Sequence, residues 1–183
     1  MTLSLSPSLS HLISIQPVER LQEVDGFLRD ARVQMFGARV SAQDTPADLR
    51  HFAQVYGDRG GRMWAARDAQ HAVVGSIAYR AYDGRFAQLD FGPQSVVEVV
   101  RLFVAPAWRR QGLAQALFAT LQAHAQAHRV QVLYLHTHPF LPGALEFWER
   151  NGFAVLQREA EPVWQTIHMQ CLLPPALPAP VST

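Results

Sequence analysis

The segment from residue 96 to residue 128 constrains the fold most, because its hydrophobic spacing changes once, from that of a strand to that of a helix. Valine dominates residues 96–104, and this run is short enough for a buried strand. Beyond Arg109, leucine recurs at every fourth position, as on one face of an amphipathic helix. Pro106 separates the two patterns. The sequence therefore predicts a strand, a short loop and a helix over 109–128.

The start of this helix has the features of an anion site. No Ser, Thr, Asp or Asn stands before Arg109 as a cap, so the first N–H groups lack a side-chain acceptor. Gly112 lets a ligand approach the backbone closely, and the helix dipole favours negative charge there. Arg109 and Arg110 add full charges with the geometry that phosphate accepts. The loop thus predicts a pyrophosphate site, against the alternative of two solvated arginines on an ordinary loop.

Other glycine-based phosphate motifs are excluded by the residues of the same loop. The chain contains no Gly-x-x-x-x-Gly-Lys-Ser/Thr, and Gly112 is the only glycine between the strand and the helix. Neither a nucleotide-hydrolysing loop nor a dinucleotide fingerprint is therefore present.

Composition narrows the class of protein. With 183 residues, of which 49% are hydrophobic, the chain suits one globular domain. Its net charge of +1 and the lack of a basic run exclude nucleic acid as the expected partner. The single Cys171 forms no disulfide framework, which indicates a reducing, cytoplasmic compartment. No export signal or membrane-length apolar run is evident, so no membrane partner is expected.

The remaining segments predict an α/β domain over residues 11–173, with loose tails at 1–10 and 174–183. The element order is expected to be β-α-α-β-β-β-α-β-α-β-β, with helices on both faces of the sheet. The loop at residues 82–94 either lines a substrate mouth or is an ordinary surface excursion. The strands are expected at 11–16, 63–68, 72–80, 96–104, 131–138, 153–158 and 164–172, and the helices after Pro17, at 44–57, at 109–128 and after Gly143.

Two landmarks in this order resemble those of the GCN5-related N-acetyltransferase (GNAT) superfamily. Arg109-x-x-Gly112-x-Ala114 after a strand resembles its acyl-CoA pyrophosphate loop, Gln/Arg-x-x-Gly-x-Gly/Ala. Residues 144–153 resemble its helix that ends in Gly-Phe before another strand. The resemblance covers about residues 12–173. It implies the GNAT fold, a mixed central β-sheet with helices on both faces and splayed fourth and fifth strands, so that the pantetheine arm bonds to the backbone of the fourth strand.

This resemblance implies an acetyl-CoA-dependent N-acetyltransferase in which an amine attacks the thioester directly, with no metal. The acceptor is a small-molecule amine or a protein amine, and the family often forms homodimers. Two alternatives stay open: an acyl-CoA-binding sensor or interaction module without turnover, and an acyltransferase for longer chains. The residues expected to bind acetyl-CoA are Leu102, Phe103, Val104, Arg109, Arg110, Gln111, Gly112, Leu113, Ala114 and Trp148.

Proton transfer is expected from three candidate residues. Glu98 is a carboxylate within the valine run, suited to a general base, and its alternative role is a salt bridge to Arg80 or Arg101. His136 and His138 are two apart on a predicted strand and so share one face, where neutral imidazole suits proton relay. A hydrogen-bonded structural role is the alternative for this pair. They form half a metal site at most, since the sequence places no third ligand.

One departure from the family concerns the leaving group. Many members carry a tyrosine on the helix before Gly-Phe that protonates the departing thiolate, and this chain has Trp148 there. An indole N–H donates a hydrogen bond but has no usable acidity. Trp148 is therefore expected to line the tunnel or to pack with Phe147 and Phe153. Cys171 has no motif around it and is expected to be a buried structural thiol rather than a nucleophile.

Overall fold

The computed structural model describes residues 13–41, 43–57 and 60–174. Apart from Pro174, the expected tails lie outside these ranges, as do His11 and Leu12 of the expected first strand. The chain divides into two compact units. The first comprises residues 1–81 and 98–121, and the second comprises residues 82–97 and 122–183.

The first unit is built on four strands in the order β1-β2-β3-β4. They are β1 (Ser14–Pro17), β2 (Arg62–Arg67), β3 (Val73–Ala81) and β4 (Val96–Val104), of which β4 begins within the second unit. β1 and β3 both pair with β2 in antiparallel register. β4 has the bounds predicted from the valine run. The turn at 68–72 closes the β2–β3 hairpin, because the Asp68 side chain accepts hydrogen bonds from the N–H groups of Gln70 and Ala72.

The helices of the first unit are α1 (Asp25–Phe36), α2 (Ala47–Arg50), α3 (Phe52–Tyr56) and the first part of α4 (Leu113–Ala127). Helix α1 starts later than expected, because Pro17 belongs to β1 and residues 21–23 form a 3₁₀ turn. The Glu23 carboxylate stabilises that turn by accepting hydrogen bonds from the backbone N–H groups of Glu19 and Arg20. A hydrophobic core includes Leu28, Leu49 and Phe52 of these helices with Met63 and Ala78 of the strands.

The helix expected over 44–57 is two helices, which corrects the prediction. His51 has φ −109° and ψ 36°, and it separates α2 from α3. Pro46 is the N-cap residue of α2, and no side chain caps this helix. The break has a physical reason in the hydrogen bond from Tyr56 to Asp48. In a continuous helix these residues would stand about 12 Å apart along the axis, at 1.5 Å per residue.

The second unit contains β5 (Val132–Thr137), β6 (Ala154–Arg158) and β7 (Ile167–Leu172) in the order β5-β7-β6, with helix α5 (Ala144–Arg150). β7 pairs in antiparallel fashion with both neighbours, and His136 lies opposite His168 in the β5–β7 register. Residues 82–94 form a loop, as expected. Across the described ranges, no helix has the length and apolar character needed to cross a membrane.

Candidate active site

The loop between β4 and α4 has two left-handed residues, Arg110 with φ +60° and Gly112 with φ +84°. A right-handed helix cannot include them, so α4 begins at Leu113 rather than at Arg109 as expected. Residues 106–108 instead form a 3₁₀ turn. A Cβ atom added to Gly112 would meet nothing within 4 Å, so the space beside this backbone is open.

The first turn of α4 presents backbone N–H groups that have no acceptor within residues 13–41, 43–57 and 60–174. Among the described residues, none accepts a hydrogen bond from the N–H of Leu113, Ala114 or Gln115. The first N–H groups of a helix also carry the positive end of its dipole. Within the described part of the chain, this helix start thus has three N–H donors without acceptors beside an open glycine, the features from which the sequence predicts an anion site.

The two arginines of the loop have different surroundings. The Arg109 Nε donates a hydrogen bond to the carbonyl of Val104 at 2.9 Å, and its guanidinium lies 5.3 Å from the centroid of the Phe103 ring. Arg109 thus fastens the loop to the end of β4. Arg110 is exposed, and within the described ranges its side chain has no hydrogen bond or ion pair. Its charge is therefore available to a ligand.

Glu98 is fully buried in β4 and is paired with Arg80 of β3. The Nε of Arg80 donates to Oε2 of Glu98 at 2.8 Å, and a terminal nitrogen of the same guanidinium lies 2.8 Å from that oxygen. The sequence left Arg80 and Arg101 as alternative partners of Glu98, and in the structure the partner is Arg80. The buried carboxylate is thus balanced by a guanidinium.

Arg101 instead pairs with Asp48 of α2. Its Nε and a terminal nitrogen donate to the two Asp48 oxygens at 3.1 and 2.5 Å, and the Tyr56 hydroxyl donates to the same carboxylate at 2.5 Å. Burial raises the pKa of Asp48, but the charge and hydrogen bonds of Arg101 outweigh it, so the net pKa is below its usual value. Asp48 therefore stabilises the fold above the ordinary carboxyl pKa, and this contribution is lost as pH falls through the lowered value.

His138 is oriented by the loop between β6 and β7. Its Nδ1 lies 3.0 Å from the backbone carbonyl of Trp164, and because a carbonyl only accepts, Nδ1 carries the hydrogen. In the neutral ring, Nε2 then holds the lone pair. The Phe140 ring stacks on the imidazole at 5.0 Å, and only 7% of His138 is exposed. Glu161 fixes the loop by accepting from the N–H groups of residues 163–165.

β5 ends at Thr137 rather than at residue 138 as expected, so His136 lies in the strand and His138 directly after it, with their ring centroids 5.7 Å apart. The Phe86 ring of the 82–94 loop contacts His136 at 5.8 Å and His168 at 4.7 Å. His168 is buried between the Tyr134 hydroxyl at 2.8 Å and the Glu159 carboxylate at 2.9 Å.

Trp148 and Cys171 are both buried in the second unit. The Trp148 ring makes T-shaped contacts with Phe147 at 4.9 Å and Phe153 at 5.1 Å, which is the packing alternative given above. Burial raises the pKa of the Cys171 thiol, and its Sγ contacts the carbonyls of Asn151 and Leu172. A protonated, enclosed thiol is a poor nucleophile.

The candidate residues fall into two groups. The first unit holds Glu98, the β4 residues Leu102, Phe103 and Val104, and the loop through Ala114. The second unit holds His136, His138 and Trp148. In the part of the chain that the structure describes, no three His, Cys, Asp or Glu side chains are grouped to hold a metal ion.

Sequence reasoning missed the cluster of Asp48, Tyr56 and Arg101, because its members lie on three separate elements. The only local signal was an arginine inside a strand of valines. It also missed Trp164 and His168. Trp164 contacts His138 through its backbone carbonyl, which every residue type has, and the partners of His168 come from distant segments.

The profile of the acetyltransferase (GNAT) family matches residues 27–153, and the chain belongs to this family. It is therefore an acyltransferase by class. Comparison with curated proteins finds no match.

Solved structures share the fold over most of the chain. A GNAT-family acetyltransferase from Staphylococcus aureus Mu50 has 20% identity and a TM-score of 0.72, covering 88% of this chain and 99% of that one. Spermidine N-acetyltransferase from Vibrio cholerae, solved with CoA and spermine, has 16% identity and a TM-score of 0.64, covering 87% and 95%. NAA60 from Arabidopsis thaliana, solved with acetyl-CoA, has 16% identity and a TM-score of 0.66, covering 88% and 98%. The GNAT fold expected from the sequence is confirmed.

Proposed function

We propose that residues 11–173 form a domain that transfers the acetyl group of acetyl-CoA to the amine of an acceptor by direct attack. The observation that carries this proposal is the start of α4. There the N–H groups of Leu113, Ala114 and Gln115 lack acceptors among the described residues, beside the open backbone of Gly112. Two neighbouring phosphates of a pyrophosphate match such a row of donors.

The residues of the loop fit CoA in three ways. The N–H groups of α4 would bind phosphate oxygens, and the exposed Arg110 would add a full positive charge. Arg109 would act indirectly, by holding the loop against Val104. The backbone of Leu102, Phe103 and Val104 would hold the pantetheine arm. When bound, acetyl-CoA supplies the activated acyl group.

Proton transfer from the attacking amine is assigned to His138. Its Nδ1–H is bonded to the carbonyl of Trp164, which leaves Nε2 as the acceptor in the neutral ring. Glu98 and His136 remain the other candidates, and the ion pair with Arg80 holds the Glu98 carboxylate in place. Trp148 cannot protonate the leaving thiolate, so that proton comes from another group or from water.

Direct attack fits the state of the only cysteine. Cys171 is a buried free thiol whose pKa is raised by burial, so it is unsuited to form an acyl-enzyme. A single free thiol also fits a reducing, cytoplasmic compartment.

The acceptor is proposed to be a small-molecule amine or a protein amine. The structures with similar folds include a spermidine acetyltransferase solved with spermine. A screen of polyamines, amino acids, aminoglycoside-type amines and peptide N-termini with acetyl-CoA tests the proposal. Formation of an N-acetyl product from one class supports it. If CoA binds but no class is acetylated, the protein is an acyl-CoA sensor, the alternative that Trp148 at the usual tyrosine position favours.

Saturating CoA is expected to raise the melting temperature. At a concentration of 100 times Kd, a ligand of the folded state adds about 2.7 kcal/mol to stability. For a chain of this size, that corresponds to a shift of about 5–10 °C. Differential scanning fluorimetry with and without CoA measures it. No shift at millimolar CoA, at both low and moderate salt, would contradict the assignment of the cofactor.

A further inference from the structure

Arg101 has an unusual backbone conformation for its residue type. It lies inside β4 with φ +62°, in the left-handed region that is costly for residues with a Cβ atom. Such a residue interrupts the regular ladder of a strand, as in a β-bulge. Its carbonyl accepts a hydrogen bond at 2.8 Å from the hydroxyl of Ser76, a fully buried side chain of β3.

Three buried side chains hold Arg101 in this conformation. Asp48 accepts two hydrogen bonds from the guanidinium, Tyr56 donates to Asp48, and Ser76 donates to the Arg101 carbonyl. Asp48 is 5% exposed and Tyr56 is 1% exposed. Contacts to both the side chain and the backbone carbonyl of Arg101 therefore hold this residue in the left-handed conformation.

Stability alone gives a weak reason for such a cluster. The desolvation cost of a buried ion pair offsets much of its attraction, and apolar residues of similar size often serve the fold as well. Strained backbone residues that their surroundings hold in place concentrate at ligand-binding and catalytic positions. Arg101 directly precedes Leu102, Phe103 and Val104, the backbone segment proposed to hold the acyl donor.

We propose that Asp48 is a positioning residue for acetyl transfer. Through its ion pair with Arg101 it keeps that residue left-handed, and it thereby sets the direction of the backbone groups of residues 102–104. This inference rests on the proposed function of β4 in binding acetyl-CoA. It also links three elements of the first unit, because Asp48 stands on α2, Tyr56 on α3 and Arg101 in β4.

The first test is Asp48→Asn, which keeps the size of the side chain and removes its charge. We expect kcat to fall about tenfold. A left-handed residue costs about 1–2 kcal/mol, and a loss of that size in the transition state corresponds to about a tenfold change in rate. The Kd for CoA should rise, because the backbone that holds the pantetheine arm is disturbed, but by less than in Gly112→Asp, because the pyrophosphate loop is untouched. Asp25→Asn is the matched control, since it removes an Arg–Asp contact of the same kind on α1, with Arg29 Nε 3.0 Å from both oxygens. Its kcat should not change.

The decisive test compares two double variants, Asp48→Asn with Arg101→Gly and Asp48→Asn with Arg101→Ala. Both lack the ion pair and the arginine stem, and they differ by one methyl group. Glycine adopts φ +62° freely, whereas alanine does not. We expect the glycine variant to have a kcat several-fold higher than the alanine variant, nearer to wild type. Equal kcat values for the two would overturn the inference.

Amide hydrogen exchange of β4, measured without ligand, separates this inference from the proposed function. Asp48→Asn should raise the exchange of residues 102–104, and Asp25→Asn should not. If Asp48→Asn does not fold, Tyr56→Phe is measured in its place, because it removes one hydrogen bond to Asp48 and keeps the ring. Unchanged exchange in β4 would overturn the positioning role even if the wild type acetylates amines. A wild type that acetylates no amine would overturn the proposed function, and the exchange result would still decide the role of Asp48.

Discussion

Gly112→Asp is expected to lower the affinity for CoA by at least about 100-fold, a loss of roughly 2.7 kcal/mol of binding free energy. The substitution places a carboxylate beside the first N–H groups of α4, where it competes with phosphate and repels it. A Cβ atom at Gly112 would meet no atom within 4 Å beyond its chain neighbours, so the added cost is the strain of a side chain at φ +84°, about 1–2 kcal/mol. The fold should therefore persist, with binding measured by calorimetric titration.

Gly84→Asp is the matched control for this experiment. Gly84 has φ +70° and equally open space, and it lies in the 82–94 loop rather than at a helix start. Its strain and added charge are similar, so its CoA affinity should match that of the wild type. Arg110→Ala should weaken binding more mildly than Gly112→Asp, because it removes one charge and leaves the N–H groups in place. Normal CoA binding by Gly112→Asp would show that the pyrophosphate lies elsewhere.

His138→Asn is expected to lower kcat by about 100-fold or more, the usual contribution of a general base. The Kd for CoA should remain near wild type, because the side chain is not part of the loop at Gly112. The acid limb of the pH profile of kcat/KM should move or disappear. Steady-state kinetics between pH 5 and pH 9, with the acceptor found in the amine screen, measure this.

Three further variants decide between the candidate bases. His71→Asn, at an exposed turn, is the control and should be indistinguishable from wild type. Glu98→Gln and His136→Asn should keep most of the turnover if His138 is the base. Glu98→Gln leaves Arg80 without its charged partner, so its melting temperature must be measured beside its kcat. If His138→Asn keeps the wild-type pH profile while Glu98→Gln loses turnover, Glu98 is the general base instead of His138.

Local patterns were sufficient to predict that each strand exists, although β7 begins at Ile167 rather than at residue 164 as expected. The run of valines that precedes Pro106 predicted both ends of β4 correctly, because β-branched residues and proline both restrict the local backbone. The number of strands was also correct, whereas the single helix expected over 44–57 is two helices. Helix starts were less accurate, because the left-handed residues Arg110 and Gly112 delay α4 until Leu113. Residue type alone does not show that an arginine adopts a positive φ.

The site was predictable where it depends on neighbouring residues along the chain. The open backbone at Gly112 and the exposed Arg110 depend on the local geometry of one loop, which the sequence predicted as a candidate anion site. The pairing of Glu98 with Arg80, of Arg101 with Asp48 and of His138 with the Trp164 carbonyl depends on distant segments that tertiary structure brings together. A single sequence therefore shows which residues could form these contacts, but not which pairs they form.

Transfer of an isotope-labelled acetyl group tests the central claim most directly. Wild-type protein is incubated with acetyl-CoA labelled in the acetyl group and with the amine acceptor, and products are followed by mass spectrometry and free thiol release. We expect the label on the acceptor nitrogen, one CoA thiol released per product, no acetyl group on the enzyme itself, and no product with Gly112→Asp. Label on Cys171, or equal product formation by Gly112→Asp, would contradict it.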